Sequence, residues 1–424
     1  MTDRRTVLTA IASCLAMPAT AYARRSIAGA DDGVVLYANV GAGLTLYDVD
    51  VKALTLTPRE TVTLPDAVQY VWPHRTRQFL YAITSDTGPG NGASAGSSHH
   101  LQALRVSLES GALSLHGPAV ALPSRPIHVS TDVPSDHVLV AFNKPSAMRI
   151  YRINLDGTAG TEVEQNAVVD FGIYGHQARV SPDNRLAVLV TRGNQGTSIH
   201  AEEPGALKFF AYHDGRIANE RSIAPDGGRN FGPRHLDFHP TRPWVYLSIE
   251  TQNQIALLRM RDGSIEPELL YRTSTLPSSG GGPARQAAGP IHVHPNGRFV
   301  YGSNRAEQTE STHGTDVFKG GLNGIVVYAI DQRTGEPRAI QHVDTHGIHP
   351  RTFHIDPSGR MLVAEHNLPV MVRDRDTLRR VSAGLSVFRI ADDGTLSFVR
   401  KYDVDVGHRS MFWMGMMSLP SAAA

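Results

Sequence analysis

GPRHLDFHPTRPWVYLSIE, residues 232–250, decides how the chain is read. It divides into two short runs of strand-forming residues, 234–238 and 244–249, around a proline-bounded turn at 240–243. Paired as a hairpin, the two runs bring Arg234 at the entrance and Glu250 at the exit to the same end, opposite the turn. A guanidinium and a carboxylate then meet at one edge of a sheet.

The rest of the chain repeats this unit. A six-residue strand returns seven times: LTLYDV (44–49), LQALRV (101–106), MRIYRI (148–153), LKFFAY (207–212), IALLRM (255–260), IVVYAI (325–330) and LSVFRI (385–390). Its first, third and sixth positions are apolar in nearly every copy. Four copies are followed by an Asp-Gly pair, at 156–157, 214–215, 262–263 and 393–394. These residues tolerate the positive φ of tight hairpin turns. Six of the seven strands are preceded by a proline-terminated strand, a turn and an apolar strand. The prolines are Pro73, Pro134, Pro182, Pro240, Pro295 and Pro357, 48–62 residues apart.

A repeat of this length with four strands per unit is a propeller blade. The expected fold is therefore all-β: a seven-bladed β-propeller over residues 33–418, with strands A to D in each blade from the axis outward. The first repeat lacks an A strand, and one extra strand, 410–417, follows the last repeat. The two termini are expected to share one blade, which removes free sheet edges. Two stacked β-sandwiches are the competing architecture, and seven in-phase copies disfavour it.

Charge and address narrow the function. Lys+Arg 41 against Asp+Glu 40 gives no basic field for a nucleic-acid partner. Arg4 and Arg5 precede an apolar run and Ala21-Tyr22-Ala23, the layout of an export signal over residues 1–23. The paired arginines resemble a twin-arginine signal and point to the periplasm. An ordinary secretory signal, or a lipoprotein cut before Cys14, are the alternatives. No other segment is apolar for long enough to span a membrane. Cys14 is the only cysteine, so a chain cut after Ala23 has no thiolate chemistry and no disulfide.

Blade topology sorts the loops. A–B and C–D turns share one face and are short. B–C and D–A connections share the other, and four B–C loops there are long: 86–100, 193–205, 306–323 and 367–384. Long loops on one face of a rigid scaffold commonly wall a binding site. That face also receives the heads of the A strands, with His128, His176, Arg234, His235, His292 and Arg351. It receives the ends of the B strands too, with Asn143, Arg192, Glu250, Asn304, Arg305, Glu365 and His366. These groups are expected to converge near the axis. For any single histidine the competing role is a bond to a neighbouring blade's backbone.

The stretches RPIHVSTD (125–132), HQARVSPDNR (176–185), GPRHLDFHP (232–240), PIHVHPNGRFVYGSNR (290–305) and HPRTFHIDPSGRMLVAEH (349–366) resemble the seven-bladed propeller lactonase family. That family is typified by bacterial 6-phosphogluconolactonase and is related to fungal carboxymuconate lactonizing enzymes. The resemblance implies a lactone or acid-sugar site in which His176, Arg234, Glu250 and Arg305 are catalytic. His128, His235, His292, Asn304, Arg351 and His366 are expected to bind substrate. No cofactor and no metal is expected.

The implied activity is hydrolysis of a sugar lactone, gluconolactone-like, to the aldonic acid. Glu250 or His176 would activate water, Arg234 and Arg305 would hold the oxyanion, and His235 or His292 would protonate the leaving oxygen. The export signal argues for an unphosphorylated substrate. A ligand-binding propeller without turnover, a histidine-ringed metalloprotein and a muconolactone-type cycloisomerase are the rival functions. A structural ion pair sealing one blade is the rival reading of Arg234 with Glu250.

Overall fold

The computed structural model describes residues 33–88 and 95–420; the expected export signal lies outside them. Seven antiparallel sheets follow one another along the chain. Blade 2 contains Ala67–Pro73, Phe79–Ser85, His99–Val106 and Leu113–Ala121; blade 3 contains Pro126–Thr131, His137–Asn143, Ser146–Ile153 and Ala159–Glu162. Blade 4 contains Gly175–Val180, Leu186–Thr191, Ala206–His213 and Arg216–Ile223. Blade 5 contains Pro233–Phe238, Trp244–Ile249 and Gln254–Arg261, and its outer position is shared by Ser264–Ile265 and Leu270–Ser274. Blade 6 contains Ala287–Val293, Phe299–Arg305, Gly324–Ile330 and Pro337–Asp344; blade 7 contains Pro350–Ile355, Met361–His366, Gly384–Ile390 and Leu396–Asp403.

Each B strand lies inside its own blade and between two neighbouring blades. Every residue of Leu186–Thr191, Trp244–Ile249 and Met361–His366 is buried. Such strands read as unbroken apolar runs rather than alternating ones. Outer strands such as Thr55–Thr63 keep most side chains in water and tolerate Pro58 and charge.

The termini close blade 1, as expected. Met414–Ser418 is its innermost strand and pairs antiparallel with Val34–Val40, followed outward by Gly43–Asp50 and Thr55–Thr63. The Asn39 side chain fastens this joint. Its Oδ1 accepts the backbone N–H groups of Phe412 and Trp413, at 3.0 and 2.8 Å.

Two repeating hydrogen bonds lock blade to blade. A B-strand tyrosine donates its hydroxyl to a glycine carbonyl in the C–D turn of the next blade: Tyr37 to Gly111, Tyr81 to Gly157, Tyr246 to Gly335 and Tyr301 to Gly394, at 2.7–3.0 Å. On the same face His239 bonds the Gly297 carbonyl and His294 bonds the Gly359 carbonyl, each at 2.8 Å. The glycines are required here. Gly157 and Gly394 have φ of +86° and +85°, and an added Cβ would lie 2.4 Å from the ring of Phe79 or Phe299.

The long connections of blades 6 and 7 are not irregular loops. Residues 306–323 carry the hairpin Thr309–Thr312/Thr315–Phe318, and residues 367–384 carry Val370–Asp374/Thr377–Val381. The two hairpins join by a parallel bridge between Val317 and Met371 into an eighth, lid-like sheet on the B–C face. Most of their residues are exposed or half-buried around a buried Val317, and the pairing of one loop with another supplies the order.

Candidate active site

The heads of the inner strands share one irregularity. In blades 2 to 7 the pairing of strands A and B skips at the head, at Val68/Tyr70, Pro126/His128, Gly175/Gln177, Pro233/His235, Ala288/Ile291 and Pro350/Thr352. A bulge of this kind turns a side chain out of its regular direction. The skipped residues are Gln69, Ile127, His176, Arg234, Gly289-Pro290 and Arg351. Gln69, Ile127, His176, Arg234, Pro290 and Arg351 all line one central cavity, which Phe412 of blade 1 completes.

Glu250, one residue past strand B of blade 5, is 4% exposed and lies at the centre of an arginine cluster. Arg305 of blade 6 donates through Nη2 to its Oε2 at 2.8 Å, and Arg192 of blade 4 through Nη1 to its Oε1 at 3.3 Å. Arg234 Nε also stands 2.8 Å from Oε2. The N–H axis is poorly aligned there, so this contact is an ion pair rather than a linear hydrogen bond. Three guanidinium groups face one carboxylate, which leaves cationic charge in excess. Burial pushes the Glu250 carboxyl up, but Arg305, Arg234 and Arg192 together outweigh it and hold it at about 2.

Arg234 Nη1, Arg305 Nη1 and His176 Nδ1 are buried and have no hydrogen-bond partner. The rings of His128, His235 and His176 form a row, with centroids 5.9 and 5.0 Å apart. Burial, and then the nearby arginines, hold all three imidazoles well below the ordinary histidine range. They are neutral at pH 7. Arg351 lies over the Phe412 ring, with its guanidinium carbon 3.6 Å from the centroid. In this closed arrangement the cavity offers only about 20 Å³ to the centre of a water molecule.

The expected residues separate into groups. His176, Arg234, His235 and Arg351 line the cavity, and Glu250 and Arg305 back it. His128 is covered by Tyr70, whose ring centroid is 4.2 Å away. His292 sits two positions further along its strand than the cavity-lining head, at the level of Asp237, 3.9 Å from its carboxylate and against Phe353. Asn304 turns away from the axis and donates to Asn253 and Thr275. His366 is fully buried against Gly347 and is not among the cavity-lining residues.

Glu307 and Phe412 have no place in the sequence-based set. Glu307, largely exposed, binds His349 Nδ1 at 2.7 Å; that bond, with Arg305 and Arg351 nearby, holds its carboxyl at about 2. Its position two residues after Arg305 was the available signal. Among the described residues, no group of three or more His, Asp or Glu side chains is arranged to hold a metal ion.

The family model for the seven-bladed β-propeller lactonases matches residues 33–377. The chain belongs to that family. Its assignment as a lactone hydrolase follows from this membership. Among curated relatives, the chain is 26% identical over 345 residues to a 6-phosphogluconolactonase of Bacillus subtilis, covering 80% of this chain and 89% of the relative. It is also 26% identical over 311 residues to that of Cronobacter sakazakii, covering 73% and 80%. Among solved structures, the periplasmic gluconolactonase of Pseudomonas aeruginosa superposes with a TM-score of 0.68 at 17% identity, covering 92% of this chain and 99% of that one. A structure described as a putative 6-phosphogluconolactonase from Bacteroides uniformis gives 0.66 at 20% identity, covering 91% and 100%. At these identities the superpositions establish the fold alone.

Proposed function

We propose that this lactonase opens an unphosphorylated sugar lactone, gluconolactone-like, to its aldonic acid, and that it does so in the periplasm. The observation that carries the chemistry is the set of uncommitted donors at the channel head: Arg234 Nη1 and Arg305 Nη1 beside a neutral His176 with a free Nδ1. The two guanidinium nitrogens receive the oxyanion as water adds to the lactone carbonyl. His176 takes the proton from that water and returns it to the ring oxygen as the carbon–oxygen bond breaks. Fixed donors aimed at the developing charge are the largest usual contribution to such a step.

Glu250 is a positioning residue rather than the base. Both of its carboxylate oxygens are already engaged by Arg192, Arg234 and Arg305, so it aligns the guanidinium groups rather than activating water. His176, turned into the cavity by the bulge at the head of its strand, carries the unpartnered Nδ1, and His292 lies further along the channel, so His176 serves both proton steps. The periplasmic assignment and the preference for an unphosphorylated ring rest on the Arg4-Arg5 leader. The P. aeruginosa neighbour, a periplasmic gluconolactonase by its title, is compatible with both. The test is proton release from D-glucono-1,5-lactone and from its 6-phospho analogue, each corrected for spontaneous opening. The expected result is a kcat/KM at least tenfold higher for the unphosphorylated ring; the reverse preference contradicts the substrate assignment.

A further inference from the structure

A second cavity, larger than the one at the axis, lies away from it. Beneath the lid sheet, over the loop end of blade 6, lies a space of about 530 Å³, against about 20 Å³ for the central cavity. Its walls come from three sources. Strand Gly324–Ile330 and the residues just before it form the floor. His342, Asp344 and His346 form one side, and the second lid hairpin forms the roof with Arg373 and Arg379. A volume of this size lies within the ordinary range for small-molecule sites, roughly 300–1,000 Å³.

Two buried amides on its wall are incompletely satisfied. Asn304, 3% exposed, uses its Nδ2 on Asn253 and Thr275, and its Oδ1 accepts nothing. Asn323, 5% exposed, uses its Oδ1 on the N–H groups of Ala306 and His349, and its Nδ2 donates to nothing. Buried polar atoms normally find partners, and an orphaned one is destabilising. The free acceptor and the free donor are both enclosed in the wall, and they match ligand hydroxyls, which donate to the first and accept from the second, once the amides turn toward the space.

The charges at the roof add a second requirement. Arg373 reaches only Thr312 at 3.5 Å, and Arg379 meets Asp374 at 3.5 Å on an exposed edge. Asp344 opposes them, but its Oδ1 is occupied by the His346 N–H at 2.5 Å. Of these charges Arg373 is the cation without an acidic partner, and it suits a single carboxylate.

From these observations we infer a second ligand site between the lid sheet and blade 6, which takes a polyhydroxylated carboxylate of hexose size: an aldonate or a uronate. Hydroxyls engage Asn304 Oδ1 and Asn323 Nδ2, and the carboxylate engages Arg373 and Arg379. The site is separate from the Glu250 cluster and needs no turnover there. Because Asn304 immediately precedes Arg305 on the same strand, its occupant sits one residue from the catalytic arginine.

The test is calorimetric titration of the full-length mature protein with D-gluconate and D-glucuronate. Arg234→Met removes a central cation, so binding that persists in this variant and is lost when the lid arginines are also replaced belongs to the lid site. Arg373→Gln with Arg379→Gln alters only exposed side chains. This double variant is expected to lose that binding at least tenfold while leaving lactone turnover within twofold. Asn323→Asp keeps both bonds to Ala306 and His349 but replaces the free donor with an acceptor, and is expected to weaken binding similarly. Undiminished binding of both acids in the double variant, or no binding of either acid to the Arg234→Met protein, overturns the proposal.

Discussion

Glu250 carries two duties, and they separate by energy. It neutralises part of a buried arginine cluster, and it fixes where those arginines point. Glu250→Gln leaves Arg192, Arg234 and Arg305 facing one another without a counter-charge, and an uncompensated buried charge costs about 3–5 kcal/mol. The expected outcome is a large fall in melting temperature together with loss of turnover. Because its carboxyl is held below its unfolded value of 4.5, the stability that Glu250 supplies is complete above pH 4.5 and is lost as pH falls toward 2.

Glu365 behaves in the opposite sense. It is fully buried, neither oxygen has a partner, and burial pushes its carboxyl up to about 8 despite Arg351 nearby. Its raised value means its contribution is complete below pH 4.5 and lost as pH rises through 8. Glu365→Gln is therefore expected to gain melting temperature relative to the wild type as pH goes from 5 to 9, a trend that thermal melts across this range measure. An unchanged difference at all pH values would contradict the assignment. The Arg234–Glu250 meeting was legible in the sequence because a hairpin forces its two ends together. The arrival of Arg192 and Arg305 on the same carboxylate was legible only as convergence, since their partner depends on distances between blades. The neutral state of Glu365 was not legible at all, because a carboxyl's titration depends on its surroundings rather than on its place in a repeat.

At the scale of elements, the recurrent strands were plain in the sequence because apolar spacing and Asp-Gly turns repeat together. Trp244–Ile249 and Val34–Val40 fall where that spacing puts them. The bulges at the heads of the inner strands were hidden, since nothing in the residue pattern marks a skipped pairing. They matter most, because they turn His176, Arg234 and Arg351 toward the axis. The lid hairpins were hidden for another reason: each is ordered by the other, 50 or more residues away in sequence. The tyrosine clamps are the simplest element to test. Tyr246→Phe removes a 2.8 Å bond and leaves the Gly335 carbonyl without it. A loss of about 1–3 kcal/mol in unfolding free energy is expected, with kcat/KM unchanged. Denaturant titration beside an activity assay reads both.

At the scale of the molecule, closure makes the site possible. Six blades each present the head of an inner strand to the axis, and the seventh position is supplied by the C-terminal segment, which brings Phe412 onto Arg351. Asn39 and the Met414–Ser418 strand hold that segment in register, so the ring and the cavity form together. The central claim is that turnover depends on guanidinium donors held by Glu250. It is tested most directly by kcat for Arg234→Met on D-glucono-1,5-lactone, with the melting temperature measured on the same preparation. Glu250 keeps Arg192 and Arg305 in this variant, and one like charge is removed, so the melting temperature is expected to hold. Loss of one oxyanion donor is expected to lower kcat by about 10²–10³. A kcat within tenfold of the wild type, with the fold intact, would contradict the account.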